Sequence, residues 1–415
     1  MTSRAEIFQE MKAAGPQAGF GSWAMVALSL TVIGGAAFGI GVSGSQAERT
    51  WQVFLVNYLF WSGLAFGSVL ISAALVMTKA RWGRPLKRLA EAPVAFLPLS
   101  FLLFWVLYLG RDKLFPWIHD PVPQKQAWLN TGFLFARDGV SLLLLTAVSL
   151  ALVYYSLRGE REIYSQGVEA WKGCQDRGEE NLHKQSILSP LLAILYALIL
   201  SLIGFDLVMS LSPHWHSTLF GMYFFTGGFY SALAGLMVLS VISVKAFKLG
   251  RFIQRRQFHD LGKLLLGFCL VTGDFFFSQF LVIWYGNLPE ETRFVITRVS
   301  SAPWKPLAWT VLVVCFALPF AVLLSRKAKM RQGLMLTLSG IILIGMWLER
   351  FLLVAPSLWK GKELPLGLAE ILISLGFLGL MGLSLLWFFN RFPLLPISDP
   401  LFQDLWEGDG EEGRG

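Results

Sequence analysis

Apolar residues run along the chain in ten long stretches, and most polar residues fall in the segments between them. A helix that crosses the hydrocarbon core of a membrane needs about 20 mainly apolar residues. The pattern therefore predicts an all-α polytopic membrane protein with ten spans. The predicted spans are residues 20–42, 53–77, 89–110, 132–157, 187–212, 218–245, 261–287, 302–325, 333–355 and 365–390.

The composition supports this prediction. Hydrophobic residues make up 55% of the chain and charged residues 15%, whereas a soluble domain contains about 25% charged residues. These values exclude a soluble enzyme, a disordered protein and a collagen-like fibre. The net charge of +8 does not indicate nucleic-acid binding, because basic cytoplasmic loops of a membrane protein account for it.

The distribution of basic residues predicts the orientation of the chain. The loops after spans two, four, six and eight contain 19 Lys and Arg residues, and the other loops contain 8. The positive-inside rule places the first set in the cytoplasm, together with both termini. The expected organisation is a cytoplasmic N-terminus (1–19), a single transmembrane domain (20–390) and an acidic cytoplasmic tail (391–415). The first run exceeds a signal-peptide core of about 7–15 residues, so we expect a retained span.

Two pairs of spans indicate an internal repeat. Span two begins with Tyr58–Gly63 (YLFWSG) and span six with Tyr223–Gly228 (YFFTGG). In spans five and nine, Asp206 and Glu349 are each followed by a proline seven residues later. We therefore expect two four-helix bundles, spans 2–5 (about 53–212) and spans 6–9 (about 218–355), flanked by spans 1 and 10. Chance similarity between apolar helices is the alternative.

The positions of histidine and cysteine bear on cofactors. All five histidines lie in loops or at span edges, and the three cysteines form no CxxC motif. No axial haem pair or iron–sulfur spacing is therefore recognisable. We expect this chain to bind no haem, cluster or metal, which leaves a lipid-soluble quinone as the carrier it could contact. The turn containing His214 and His216 is either an outer metal site or a polar loop anchored by Trp215.

Ionisable residues inside the spans are functional candidates, because such a group at the bilayer centre costs about 2.5–3.5 kcal/mol. Four acids lie in the outer half of the spans, and a fifth, Asp274, lies near the midplane, where we expect it to be buried in the bundle. A line of carboxylates from the surface to the centre is typical of a proton pathway; simple ion pairing is the alternative. The candidates for the pathway are Asp138, Arg137, Asp206, Asp274, Glu349, Arg350, Glu370 and His214.

Two segments carry a family resemblance. Residues Asp206–Gly221 (DLVMSLSPHWHSTLFG) and Ile283–Thr292 (IWYGNLPEET) resemble signature segments in the large membrane subunits of bacterial alternative complex III. Those subunits belong to the NrfD/polysulfide-reductase membrane-anchor family. The chain is more similar to the shorter, F-type subunit than to the C-type sister subunit that oxidises quinol.

This resemblance implies a location and partners. The expected location is the bacterial cytoplasmic (inner) membrane, within a quinol:cytochrome c oxidoreductase. The implied partners are the C-type sister subunit, an iron–sulfur subunit, c-type cytochromes, membrane lipids and a terminal oxidase, and the haem c and iron–sulfur clusters belong to these partners. The chain itself would be a non-catalytic scaffold and a proton-conducting module.

Two other functions remain open at this stage. The chain could be the quinol-binding anchor of this or a related oxidoreductase, or a stand-alone proton-coupled transporter. A transporter of the inverted-repeat type has Gly- or Pro-interrupted short spans at matching places in its two halves. No such pair is recognisable in this sequence.

The charge bias generates a prediction about topology. Reporter fusions at residue 84 and at the C-terminus should both report a cytoplasmic location, because both positions lie on the side that carries the basic loops. A compartment-sensitive reporter, active only in the cytoplasm, provides the measurement. A periplasmic signal from either fusion would contradict the predicted orientation.

Overall fold

The structure is a computed structural model that describes residues 20–44, 46–166, 175–359 and 361–403. Ten of its helices are long and apolar enough to cross a membrane, so the prediction of an all-α polytopic protein with ten spans is confirmed. The helices are α1 (Phe20–Ser43), α2 (Ala47–Met77), α3 (Arg84–Leu109), α4 (Thr131–Gln166), α5 (Gln175–Leu207), α6 (Phe220–Ala246), α7 (Arg255–Gly286), α8 (Trp304–Leu324), α9 (Gln332–Leu358) and α10 (Leu368–Arg391).

Two of the spans are interrupted near a proline. In α3 a 3-10 turn at Ala92–Phe96 separates two α-helical parts, and in α8 a π-helical turn at Val313–Ala317 precedes Pro319. Proline lacks an amide hydrogen and disturbs the preceding turn of a helix, which explains both interruptions. The connecting segments contain the short helices Arg111–Leu114, Pro116–Ile118, Pro123–Lys125, Met209–Leu211, Leu249–Arg251, Pro289–Val299 and Arg326–Lys329.

The helices pack as two four-helix units. Helices α2 to α5 contact one another through the pairs α2–α3, α3–α4, α4–α5 and α2–α5. Helices α6 to α9 contact one another through the corresponding pairs. The units meet where α2 packs on α6 and α9, and where α5 packs on α6. Helix α1 packs mainly on α10, which in turn contacts α2 and α3.

The crossing of α2 and α6 depends on small residues. A Cβ added at Gly228 would lie 3.5 Å from the Cα of Gly63, and one added at Gly67 would lie 3.0 Å from the carbonyl oxygen of Gly228. Small residues at such a crossing let two backbones approach closely, which favours helix association within a membrane. Gly63 and Gly228 are the last residues of the two similar segments noted in the sequence. If a two-fold axis relates the two repeats, equivalent residues next to that axis must contact each other, as Gly63 and Gly228 do.

The first part of the C-terminal tail packs against the helices. Leu394, Leu395, Ile397 and Phe402 are all buried, and Asp399 accepts hydrogen bonds from the start of α3. Residues 392–403 are therefore part of the folded domain. The expected N-terminal segment 1–19 and the tail beyond residue 403 lie outside the described residues.

The close approach of α2 and α6 predicts the effect of a single methyl group. Gly67→Ala should destabilise the protein by about 1–3 kcal/mol, because the new Cβ meets backbone atoms of α6 at 3.0–3.2 Å. Gly340→Ala is the control, since a Cβ there meets nothing within 4 Å and alanine favours a helix. Thermal unfolding in detergent is the measurement; equal Tm values for both variants would contradict the packing role.

Candidate functional site

Arg137 and Asp206 form an ion pair at one end of the first unit, near the start of α4 and the end of α5. The Nη2 atom of Arg137 lies 2.5 Å from Asp206 Oδ2, and Trp128 Nε1 donates to Asp206 Oδ1 at 2.9 Å. The guanidinium also lies over the ring of Trp128, 3.8 Å from its centroid. The ion pairing considered as an alternative in the sequence is therefore present at Asp206.

Asp138 lies beside this pair and contacts Arg137 only at the longer distance of 3.9 Å. Its side chain is fully buried, and no hydrogen-bond donor among the described residues reaches either carboxylate oxygen. Its Oδ1 atom is 3.9 Å from Arg137 Nε, and Asp206 and Tyr58 are its other charged or titratable neighbours. Two adjacent carboxyl groups can hold one proton between them, which makes this pair suited to proton transfer.

A second carboxylate–arginine pair lies in the other unit. Glu349 is buried, and its Oε2 atom lies 3.5 Å from Nε of the neighbouring Arg350. Arg350 donates from Nη2 to the carbonyl oxygen of Phe224 at 2.9 Å. It fits there because residue 227 is glycine: a Cβ at Gly227 would lie 2.9 Å from Arg350 Nη2. Tyr223 lies next to the Glu349 carboxylate.

The two sites share a tyrosine at the same place in each repeat. Tyr58 opens the first similar segment and lies near Asp138; Tyr223 opens the second and lies near Glu349. Sequence reasoning did not select either tyrosine as a functional residue. The signal was available, because both tyrosines are the first residues of the repeated segments.

Helix α4 places five buried polar residues on the side that faces the interior of the first unit, with the buried apolar residues Leu142 and Val153 between them. Asp138, Thr146, Ser149, Ser156 and Glu160 are all buried, and their spacing places them within about 80° of one another around the helix. Most other buried residues on α4 are apolar. The hydroxyl groups of Thr146 and Ser149 have no hydrogen-bond partner in the described structure. Buried hydroxyls of this kind are usually satisfied by ordered water.

This polar face ends at a buried ionic cluster. Arg88 binds Glu91 through Nη1 at 2.5 Å, binds Glu160 through Nη2, and donates to Ser156 Oγ at 3.3 Å. Ser72 of α2 donates to Glu91 at 2.8 Å. The sequence analysis placed Arg88 in a basic loop; burial of the α3 start instead gives it a structural and electrostatic role.

Asp399 closes the same cluster from the C-terminal segment. Arg84 and Lys87 each place a nitrogen 2.8 Å from its Oδ2 atom. Lys87 also donates to Gln185 of α5 at 2.8 Å. Each of the three cations in the cluster contacts at least one of its three carboxyl groups, as buried ions in an apolar interior require.

The pKa values of two groups in this cluster move in opposite directions. Burial raises the pKa of Glu160 to about 7, although Arg88 opposes the change and Glu91 adds to it. Burial also acts against ionisation of Asp399, but Lys87 and Arg84 outweigh it and hold the pKa of this carboxyl below its ordinary value. Glu160 is therefore an acid outside the membrane-spanning segments that can gain and lose a proton near neutral pH.

Two predicted pathway residues have other surroundings. Glu370 caps the start of α10, where it accepts a hydrogen bond from the Gly367 amide at 2.7 Å. Its two carboxylate oxygens also accept hydrogen bonds from Nε and Nη2 of Arg49. His214 is exposed in the loop after α5, while the adjacent Trp215 is buried and stacks on Phe294 at 3.6 Å. The aromatic-anchor interpretation fits this loop, and no metal-ligand cluster exists among the described residues.

The expectation that Asp274 is buried in the bundle is wrong. Asp274 is exposed on the outer surface of α7, and no ion pair or hydrogen bond among the described residues involves it. The cause is the packing of α7: its contacts with α6 and α8 use Phe258, Leu265 and Cys269, which leave the Asp274 side of the helix uncovered. The line of carboxylates predicted from the surface to the midplane therefore does not include it.

A cavity of 560 Å³ lies apart from these carboxylates, at the N-terminal ends of α7 and α9. It is lined by Arg255, Lys327, Met330, Arg331 and Gln332. None of the residues proposed from the sequence for the proton pathway contributes to it.

Comparison with family models gives a match over most of the chain. The family model for polysulphide reductase NrfD matches residues 41–360, which include both carboxylate–arginine pairs, the α4 polar face and Asp274. No match was found among curated proteins.

The pKa of Glu160 predicts how stability depends on pH. The pKa is raised from 4.5 to about 7 in the folded protein. As the pH rises, Glu160 therefore loses its proton at a lower pH in the unfolded chain than in the folded protein. Stability contributed by protonated Glu160 is therefore complete below pH 4.5 and is lost as the pH rises through about 7.

The Tm of the native protein should fall by a few degrees relative to Glu160→Gln over this range. Glu290→Gln, at an exposed position, is the control that should follow the native protein. Because the pKa of Asp399 lies below its ordinary value, this group stays ionised over the whole range and does not change the difference in Tm. Parallel pH profiles for native and Glu160→Gln proteins would contradict the assignment.

Proposed function

The chain belongs to the NrfD (polysulphide reductase) family, and from this premise we propose that it is a scaffold and proton-conducting membrane subunit of a quinol:cytochrome c oxidoreductase. The family consists of membrane subunits that typically anchor redox complexes and act with other redox subunits. The proposed assembly is of the alternative complex III type, with a quinol-oxidising sister subunit and with haem c and iron–sulfur clusters in partner subunits. This chain would not be catalytic.

The observation that supports proton conduction is the polar face of α4. Asp138 and Glu160 are 22 residues apart, which is about 33 Å along a helix. This length matches the hydrocarbon thickness of about 30 Å. Buried polar groups near both ends and in the middle of one membrane span are costly to maintain, so a transport role for protons is the simplest reason for this row of groups.

Other helices of the first unit add groups to this row. At the outer end Tyr58 lies next to Ser62 and Ser100, and these two serine hydroxyls are 2.7 Å apart. At the inner end Ser72, Glu91 and Ser156 join Glu160 through Arg88. The unpartnered hydroxyls of Thr146 and Ser149 lie between the two ends, where water would complete the route.

Each group in the row can take part in proton transfer. Carboxyl groups hold a proton, hydroxyl groups accept one proton while donating another, and Glu160 exchanges its proton near pH 7. The arginines keep the route electrically balanced: Arg137 at Asp206 and Arg88 at Glu91 and Glu160. Electron transfer belongs to the partners in this proposal, and the chain supplies only the proton path.

Asp138→Asn tests the proton path. Asparagine keeps the size of the side chain but cannot carry a titrating proton, so haem c content and quinol:cytochrome c turnover should remain while proton translocation falls several-fold. The measurement is proton release by the purified assembly in liposomes. Asp112→Asn, at an exposed outer loop position, is the matched control and should behave like the native protein.

The outcomes separate the alternatives. Full proton coupling in a correctly assembled Asp138→Asn variant would remove this residue from the mechanism. A chain that purifies without haem c and transports protons alone would favour the transporter. Loss of quinol oxidation with intact assembly would favour a quinol-binding anchor.

A further inference from the structure

Asp274 lies at the centre of the membrane, beyond the reach of water. The exposed Lys263, paired with Asp260, marks one interface of α7, and the exposed Trp284 and Tyr285 mark the other, as aromatic residues do at membrane surfaces. Asp274 is 11 residues from Lys263 and 10 from Trp284, which is about 16 Å and 15 Å along the helix. An aspartate side chain is too short to bring its carboxylate to either surface.

The exposed side of α7 has the spacing of a helix-packing seam. Its positions alternate by four and three residues, the repeat by which two helices pack along their length. Gly267 adds a point of close approach, since a Cβ there would meet nothing within 4 Å. The seam consists of Lys263, Gly267, Leu270, Asp274, Phe277, Leu281 and Trp284, all exposed except the partly exposed Leu281.

We propose that this seam, the outer face of α7 centred on Asp274, is the docking surface for a transmembrane helix of another subunit that carries a basic side chain at the depth of Asp274. Lipid chains cannot satisfy a carboxylate at the bilayer centre, whereas an opposite charge on a packed helix can. The inference rests on the proposed function only in requiring that the chain be part of a complex.

A second copy of this chain does not fit the seam. Among the described residues, the basic side chains deep within the spans are Arg137 and Arg350, and both are engaged by internal groups. A symmetric pairing through α7 would also bring two Asp274 side chains together. The partner is therefore a different chain, with its own cation.

Site-directed photocrosslinking in native membranes tests the surface. The benzophenone amino acid p-benzoylphenylalanine replaces Phe277 in the seam. The control is Leu198, which is 65% exposed at a similar depth on α5. Mass spectrometry of the crosslinked peptide should identify, from position 277 only, one transmembrane segment of another subunit that contains Lys, Arg or His. Crosslinks only to lipid, to a copy of this chain or to a segment without a basic residue would overturn the proposal.

Substitution of Asp274 supplies the second measurement. At equal membrane levels of the chain, Asp274→Leu should reduce the crosslinked product about tenfold, the scale of one interhelical polar contact in a membrane. Asp274→Glu should retain it. Asp274→Asn is the isosteric neutral variant and should give an intermediate yield. An undiminished product in Asp274→Leu would overturn the role of the carboxylate.

The result is separable from the proposed function. A specific crosslink to a cation-bearing helix in an assembly without haem c would leave the docking surface in place and reject the oxidoreductase. An assembly with haem c and native turnover, but with no effect of Asp274→Leu, would reject the docking surface alone.

Discussion

The structure depends above all on the need to satisfy charge inside a medium that contains no water. In the described spans the arginines find carboxylates or carbonyl oxygens, as Arg137 does at Asp206 and Arg350 at Phe224. The start of α3 is buried together with Asp399, Glu91 and Glu160, whose carboxyl groups contact its three cations. Removal of one partner of a buried ion pair leaves an uncompensated buried charge, which is strongly destabilising. The ionic cluster therefore joins α3, α4 and the C-terminal segment.

The close packing of α2 on α6 places the two carboxylate sites in comparable surroundings. Since Gly63 contacts Gly228, the residues that precede them by five positions, Tyr58 and Tyr223, each face the interior of their own unit. Their acids come from different helices: Asp138 from α4 and Glu349 from α9. The second unit also differs from the first because the buried hydroxyl groups described on α4 belong to the first unit. Two related scaffolds thus support different chemistry.

Hydropathy was sufficient to predict the ten helices, because a membrane span needs a long apolar run and few other structures do. It could not predict which side of each helix faces the bundle. Asp274 shows the consequence: three phenylalanines follow it directly, so the local sequence does not mark which side of α7 faces away from the bundle. Charge counting likewise assigned Arg84, Lys87 and Arg88 to a loop, because their partners Glu160 and Asp399 are distant in sequence. The repeated segments did contain the signal for Tyr58 and Tyr223, which only the packing made meaningful.

Asp138 and Asp274 show how burial separates two roles for a carboxylate that has no hydrogen-bond partner. Both lack a hydrogen-bond partner among the described residues, and both lie within the spans. Asp138 is enclosed by Asp206, Arg137 and Tyr58 inside the first unit, which suits the proposed proton path. Asp274 faces outward from a helix that has no neighbour on that side, so its charge can be satisfied only from outside the chain. The same chemical group is thus suited to a proton path in one place and to an intersubunit contact in the other.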